Sequence, residues 1–186
     1  MRRLLDTIYT ASGYLAALFI AAICILVMAQ VMLNLIDRTA ALLTGQAIGL
    51  TIPSYSDFTG FFLAAASFLA LAYTLRVGGH IRVTLFTNML GERTQKVLEI
   101  WSLALAAAMT IFVTFYSIAL THESFVYNDL SSGMVAVPIW IPQSSVSIGM
   151  FVLSVALVDE FIGVLAGKTP SYAGKGENLL DEPGEE

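Results

Sequence analysis

The sequence predicts an all-α membrane protein of four transmembrane helices, with both termini cytoplasmic and short interfacial helices in the loops. Three observations predict this. Apolar residues make up 57% of the 186 residues and charged residues only 12%, against about 45–50% and about 25% in a soluble domain. The charges leave four uncharged runs of at least eighteen residues, the length that crossing about 30 Å of hydrocarbon requires. Lys and Arg then fall eight to one on one side of those runs, which fixes the orientation by the positive-inside rule.

The first run, Thr7 to Ile36, is thirty residues long, far beyond the 7–15 residues of a cleavable signal's apolar stretch. It is therefore a permanent span despite Arg2 and Arg3 ahead of it. The second, Phe58 to Leu75, has eighteen residues and reaches about 27 Å, enough if it stands upright. The third, Ile100 to Thr121, has twenty-two, and the fourth, Leu130 to Val158, has twenty-nine. None shows the strict alternation of barrel strands, so helices alone satisfy the backbone in lipid. Arg2, Arg3, Arg76, Arg82, Arg93, Lys96, Lys168 and Lys175 lie on one side and Arg38 on the other. This places the 76–99 loop inside and the 37–57 and 122–129 connections outside. Trp101 and Trp140 sit at span ends, as interface anchors do.

Between the spans, Ile81, Leu85, Phe86, Met89 and Leu90 recur at helical spacing, the pattern of a short helix lying on the inner membrane surface. The outer loop Thr39 to Leu50, rich in Ala and Leu, suits the membrane surface too, and Pro53, Ser54 and Asp57 form a start signal for the second span. The four-helix domain is expected to occupy residues 1–166. From 167 the composition turns to Gly, Pro and acid, which reads as a disordered cytoplasmic tail over 167–186.

The net charge of −5 leaves no basic surface for phosphates, so nucleic acid is not an expected partner. The lipid bilayer is. The single cysteine, Cys24, can close neither an intrachain disulfide nor a thiolate metal site. Gly163 to Thr169 resembles a phosphate-binding loop but has three residues between its glycines where four are needed, with no strand ahead of it. His80 and His122 fall on opposite membrane faces, about 30 Å apart, and cannot share a haem or metal. With no HExxH, GxSxG or dinucleotide fingerprint, neither a cofactor nor an enzyme is expected.

An ion or proton pathway normally shows as an ionisable group at membrane depth, and none lies near a span centre. Asp57, Asp159 and Glu160 come at span ends. Gln30 and Asn34, one turn apart, can bond a neighbouring helix or line a polar path. Gly13, Ala17 and Ala21 form a small-xxx-small ridge for a close helix contact. Four spans with no charge at their centres fit a subunit better than an independent pump.

Two segments carry a family resemblance. Arg76-Val-Gly-Gly-His80-Ile-Arg82-Val83 follows the second span, and Val137-Pro138-Ile-Trp140-Ile-Pro142-Gln143, with Ile148-Gly149 after it, opens the fourth. Together they resemble the small permease subunit (DctQ-type) of tripartite ATP-independent periplasmic (TRAP) transporters, over roughly residues 5–165. Thr84, Asp57 and Ser147 depart from the residues usual at their positions. The resemblance implies a subunit in the bacterial inner membrane that braces the large TRAP permease subunit. That complex would take up an organic acid, driven by sodium and delivered by a periplasmic substrate-binding protein.

On this reading Gln30, Asn34, Arg76, His80, Arg82, Pro138 and Trp140 are candidate contacts to the large subunit. Glu123 and Asp129 are candidates for docking the binding protein. For several of these a purely local role competes. Gly78 and Gly79 can simply end the second helix, Arg76 can serve its macrodipole, and Pro138 and Pro142 can set the start and kink of the fourth. Two other classes compete with the whole reading. A membrane anchor of a redox enzyme would want paired histidines at one depth, and a free-standing transporter or channel would want a charge or polar ring in mid-span.

Overall fold

The computed structural model describes residues 2–78, 91–167 and 169–172. They form four helices: α1 (Arg2–Thr44), α2 (Tyr55–Val77), α3 (Glu92–Tyr127) and α4 (Trp140–Leu165). Each is long and apolar enough to cross a membrane. The expected inner surface helix over 81–90, and with it His80 and Arg82, lies outside the described residues.

α2 packs between α1 and α4, and α4 packs between α2 and α3, with a lesser contact from α1 to α4. α2 and α4 thus form a central pair, with α1 resting on both through Tyr9 and α3 joined to both through the cluster around Leu103. Small residues bring the helices together. A Cβ on Gly149 of α4 would stand 2.5 Å from the Phe68 carbonyl carbon of α2, and one on Gly13 of α1 would stand 2.7 Å from the Tyr73 ring. Glycine at both places permits backbone approaches that any larger residue would obstruct.

The α1 stripe that meets α2 differs from the expected ridge. Tyr9, Ser12, Ala16 and Gln30 are buried, whereas Ala17 and Ala21 are exposed. Spacing by alternate threes and fours keeps the stripe on one face of a 3.6-residue helix, while repeated fours drift off it.

Helices continue where uncharged runs stop, because helix length is set by hydrogen bonding and not by hydropathy. α1 runs through Asp37 and Arg38 to Thr44, so Thr39–Thr44 extend the first span and do not form a separate helix in the loop. Asp6 of α1 meets Arg76 of α2, and Gln30 of α1 meets Ile52 just ahead of α2. Residues 6–30 therefore run antiparallel beside α2, and residues 31–44 project past it by about 20 Å at 1.5 Å per residue.

The fourth run is shorter as a helix than as an uncharged stretch. Residues 130–138 form a small hairpin with a bridge between Leu130 and Pro138, and α4 begins at Trp140. Pro138, disfavouring helix in the residue ahead of it, and Gly133 account for the break. Pro142 falls in the first turn of α4, where a missing N–H is no loss, so it opens the helix without kinking it.

Candidate functional site

At one end of the helices, three of them converge on a single cation. The Arg76 guanidinium, in the last turn of α2, reaches Asp6 of α1 at 2.6 Å, and Glu160 and Asp159 of α4 at 2.7 and 3.7 Å. Glu160 is only 6% exposed, so its charge depends on Arg76 for compensation. The guanidinium fork suits this role because its donors point in several directions at once. Its carbon lies 5.9 Å from the centre of the Tyr9 ring, within range of a cation–π contact. Arg76, read from sequence as a candidate contact to the large subunit, is thus committed to carboxylates of its own chain. Immediately beyond it, Gly78 adopts a left-handed conformation (φ 80°) and caps α2, the local role read for it.

Glu160 also holds the chain beyond α4. Its carboxylate accepts hydrogen bonds from the Ser171 amide and hydroxyl. Tyr172 is buried with Leu103 of α3 and Leu153 and Leu157 of α4. Of the tail expected over 167–186, residues 167 and 169–172 are described, and Ser171 and Tyr172 lie against the helices. Tyr172 also borders a groove of about 400 Å³ between α2 and α3.

At the opposite end, Gln30 organises the α1–α2 connection. It is 4% exposed. Its carbonyl accepts from the Ile52 amide at 2.8 Å, and its amide donates to Thr51 and Asn34 at 3.1 and 3.0 Å. Asp37, one helical turn from Asn34, accepts from the amides of Ile48 and Gly49, each at 2.7 Å. The Gln30 amide therefore bonds the returning loop of its own chain.

The hairpin closes the other half of this end. Within it the Ser131 amide donates to the Val137 carbonyl at 2.9 Å, and the Val137 amide to the Ser131 hydroxyl at 3.0 Å. The Val135 amide donates to the buried Ser54 hydroxyl ahead of α2 at 2.9 Å, and a Cβ at Gly133 would collide with the Asp57 carboxylate. Pro138 accepts a hydrogen bond from the Ile141 amide at the start of α4. Trp140 stands edge-on to Phe125 of α3, with ring centres 5.5 Å apart. Asp129, at the base of the hairpin, and Glu123, near the end of α3, are exposed.

Within the spans, hydroxyls join the helices. Ser12 donates to the Leu69 carbonyl at 2.5 Å, and Thr114 pairs with Ser154 and Thr121 with Ser147, both at 2.9 Å. Of these only Ser147 is named in the sequence reading, and there as a departure from the family pattern. The usable signal was Ser and Thr at helical spacing on facing spans, Ser147 and Ser154 against Thr114 and Thr121. Among the described residues the buried Tyr9 hydroxyl and Gln143 side-chain carbonyl have no partner, and no group of three potential ligands could hold a metal.

No curated protein matches the chain as a relative. Residues 39–167 match the family described as "Tripartite ATP-independent periplasmic transporters, DctQ component". That region includes the Gly78 cap of α2, the hairpin and all of α3 and α4. The chain belongs to the DctQ family, the small membrane component of TRAP transporters.

Proposed function

We propose that this subunit braces the large permease subunit in the inner membrane of a bacterium during sodium-driven, binding-protein-dependent uptake of an organic acid. Its termini face the cytoplasm, and the hairpin end faces the binding protein. The observation that carries the reading is the inward commitment of the polar groups. Ser12, Thr114, Thr121, Ser147 and Ser154 bond helix to helix, and Arg76 is tied to three carboxylates of the same chain. Interactions of this kind hold helices in place and offer no route across the bilayer.

Exposed apolar side chains, such as Leu18 and Ile25 of α1 and Phe112 and Phe115 of α3, also leave helix surface for a second membrane protein. Candidate contacts on this reading remain Asn34, His80, Arg82, Pro138 and Trp140, with Gln30 and Arg76 acting through the shape they impose. Glu123 and Asp129 contribute to docking the binding protein.

The test is reconstitution into proteoliposomes with a sodium gradient and solute-loaded binding protein, first with this chain alone and then with the large subunit. Uptake is expected only after the second addition. Uptake by this chain alone would overturn the bracing role.

A further inference from the structure

α2 and α3 both pack on α4, and the groove of about 400 Å³ lies in the gap between them. Leu71 and Leu75 form one wall, Leu103 and Ala106 the other, and Leu153 and Leu157 the floor. Along α3 it runs from Ser102 to Thr110, about 12 Å at 1.5 Å per residue. Trp101, 68% exposed, stands at the Ser102 end, where an aromatic anchor marks the border of hydrocarbon and headgroups. The groove therefore starts at that border and reaches most of the way through one leaflet, about 15 Å of hydrocarbon.

Size decides what can enter. A helix about 10 Å across would need about 900 Å³ over the same length, more than twice the space between α2 and α3. The chemistry of the walls points the same way. The Thr110 hydroxyl donates to the Ala106 and Ala107 carbonyls and the Ser102 hydroxyl to the Glu99 carbonyl, all within α3. Both hydroxyls are thus satisfied, and the slot suits a slim occupant that brings no hydrogen-bonding groups into lipid.

Beyond the border, Lys96 is exposed. It precedes Leu103 by one heptad and Thr110 by two, a spacing that keeps all three close to one face of α3. The Glu99 carboxylate between them accepts a hydrogen bond from the Tyr172 hydroxyl at 3.4 Å. An ammonium at headgroup level above an apolar slot matches a lipid phosphate above its own acyl chain.

We infer that this groove holds one acyl chain of a phospholipid from the leaflet at the Arg76 end, with Lys96 on the lipid phosphate. On the proposed orientation that leaflet is the inner one. The lipid acts as a filler between α2 and α3, which meet chiefly through α4.

The experiment uses the complete membrane complex in phosphatidylethanolamine nanodiscs. A trace of phosphatidylglycerol carrying a diazirine in its acyl chain is photolysed there, and adducts are located by peptide mass spectrometry. Adducts are expected to concentrate at Leu103, Ala106 and Leu153 over the exposed Leu105 and Phe112. Ala106→Trp should lower the groove adducts about tenfold and Lys96→Gln about fivefold, while Leu105→Trp leaves them unchanged. Equal labelling of groove and exposed residues in the unmodified complex would mean ordinary boundary lipid only. Groove labelling that appears only when the large subunit is absent would mean that a protein partner fills the slot. Either result, or undiminished groove labelling in Ala106→Trp, would overturn the inference.

Discussion

The Arg76 guanidinium and the Glu160 carboxylate join the ends of α2 and α4 at 2.7 Å, with the side chain of the acid 7% exposed and that of the base 20%. Two further carboxylates share the same cation, so one side chain compensates charges from three helices. Removing a partner from a buried pair costs about 3–5 kcal/mol because the remaining charge stays in place. Arg76→Ala should therefore destabilise the detergent-solubilised chain by that amount in thermal unfolding. Asp6→Asn should cost under about 1 kcal/mol, because Asp6 is half-exposed and its pair is screened. Equal losses in the two variants would show that the cluster is not centred on Arg76.

Gly149→Ala tests the approach of α4 to α2. Its new methyl would meet backbone atoms of Phe68 and Leu69, which cannot rotate away, and overpacking of this kind costs about 1–3 kcal/mol. A Cβ at Gly163 of the same helix meets nothing within 4 Å. Gly163→Ala should instead be neutral or stabilise the helix by up to about 1 kcal/mol. Melting temperatures of the two variants should move in opposite directions or differ clearly in size.

The hydroxyl pair Thr121 and Ser147 should show a coupling of about 0.6 kcal/mol in a double-mutant cycle with Thr121→Val and Ser147→Ala. Thr114 and Ser154 should behave alike. Coupling indistinguishable from zero in both cycles would mean that packing alone holds α3 to α4.

Gln30→Leu removes three hydrogen bonds and strands the Ile52 amide. The expected cost is about 1–3 kcal/mol, concentrated in the loop ahead of α2. Amide exchange at Ile52 should accelerate much more than exchange in α4.

Orientation is checked by cysteine labelling in a Cys24→Ala background. An impermeant reagent added outside intact cells should modify Thr44→Cys and leave Gln95→Cys untouched, as the distribution of Lys and Arg requires. The reverse pattern would invert the proposed topology.

The four helices were legible because lipid imposes one strong rule, that charge stays out, and the sequence obeys it in four places. Helix ends were less legible. Nothing in the hydropathy of Asp37 and Arg38 says that α1 continues past them, since a helix outside hydrocarbon needs only its own hydrogen bonds. The hairpin was hidden for the opposite reason, because Leu130 to Ile139 is uncharged yet folds as a turn closed by a single bridge between Leu130 and Pro138. The role of Arg76 depended on partners seventy and eighty-four residues away in sequence. Charge counting could assign it a side of the membrane but not a carboxylate. Ser54 could be read as part of a helix start but not as the anchor of Val135, and Gly133 carried no signal, because those roles depend on contacts that another segment brings.

The central place of α2 and α4 has a consequence for how the helices influence one another. α1 rests on both of them through Tyr9, Ala72, Val152 and Ala156, and α3 shares a cluster and a groove with both. A tilt of either outer helix therefore reaches the other chiefly through the α2–α4 pair.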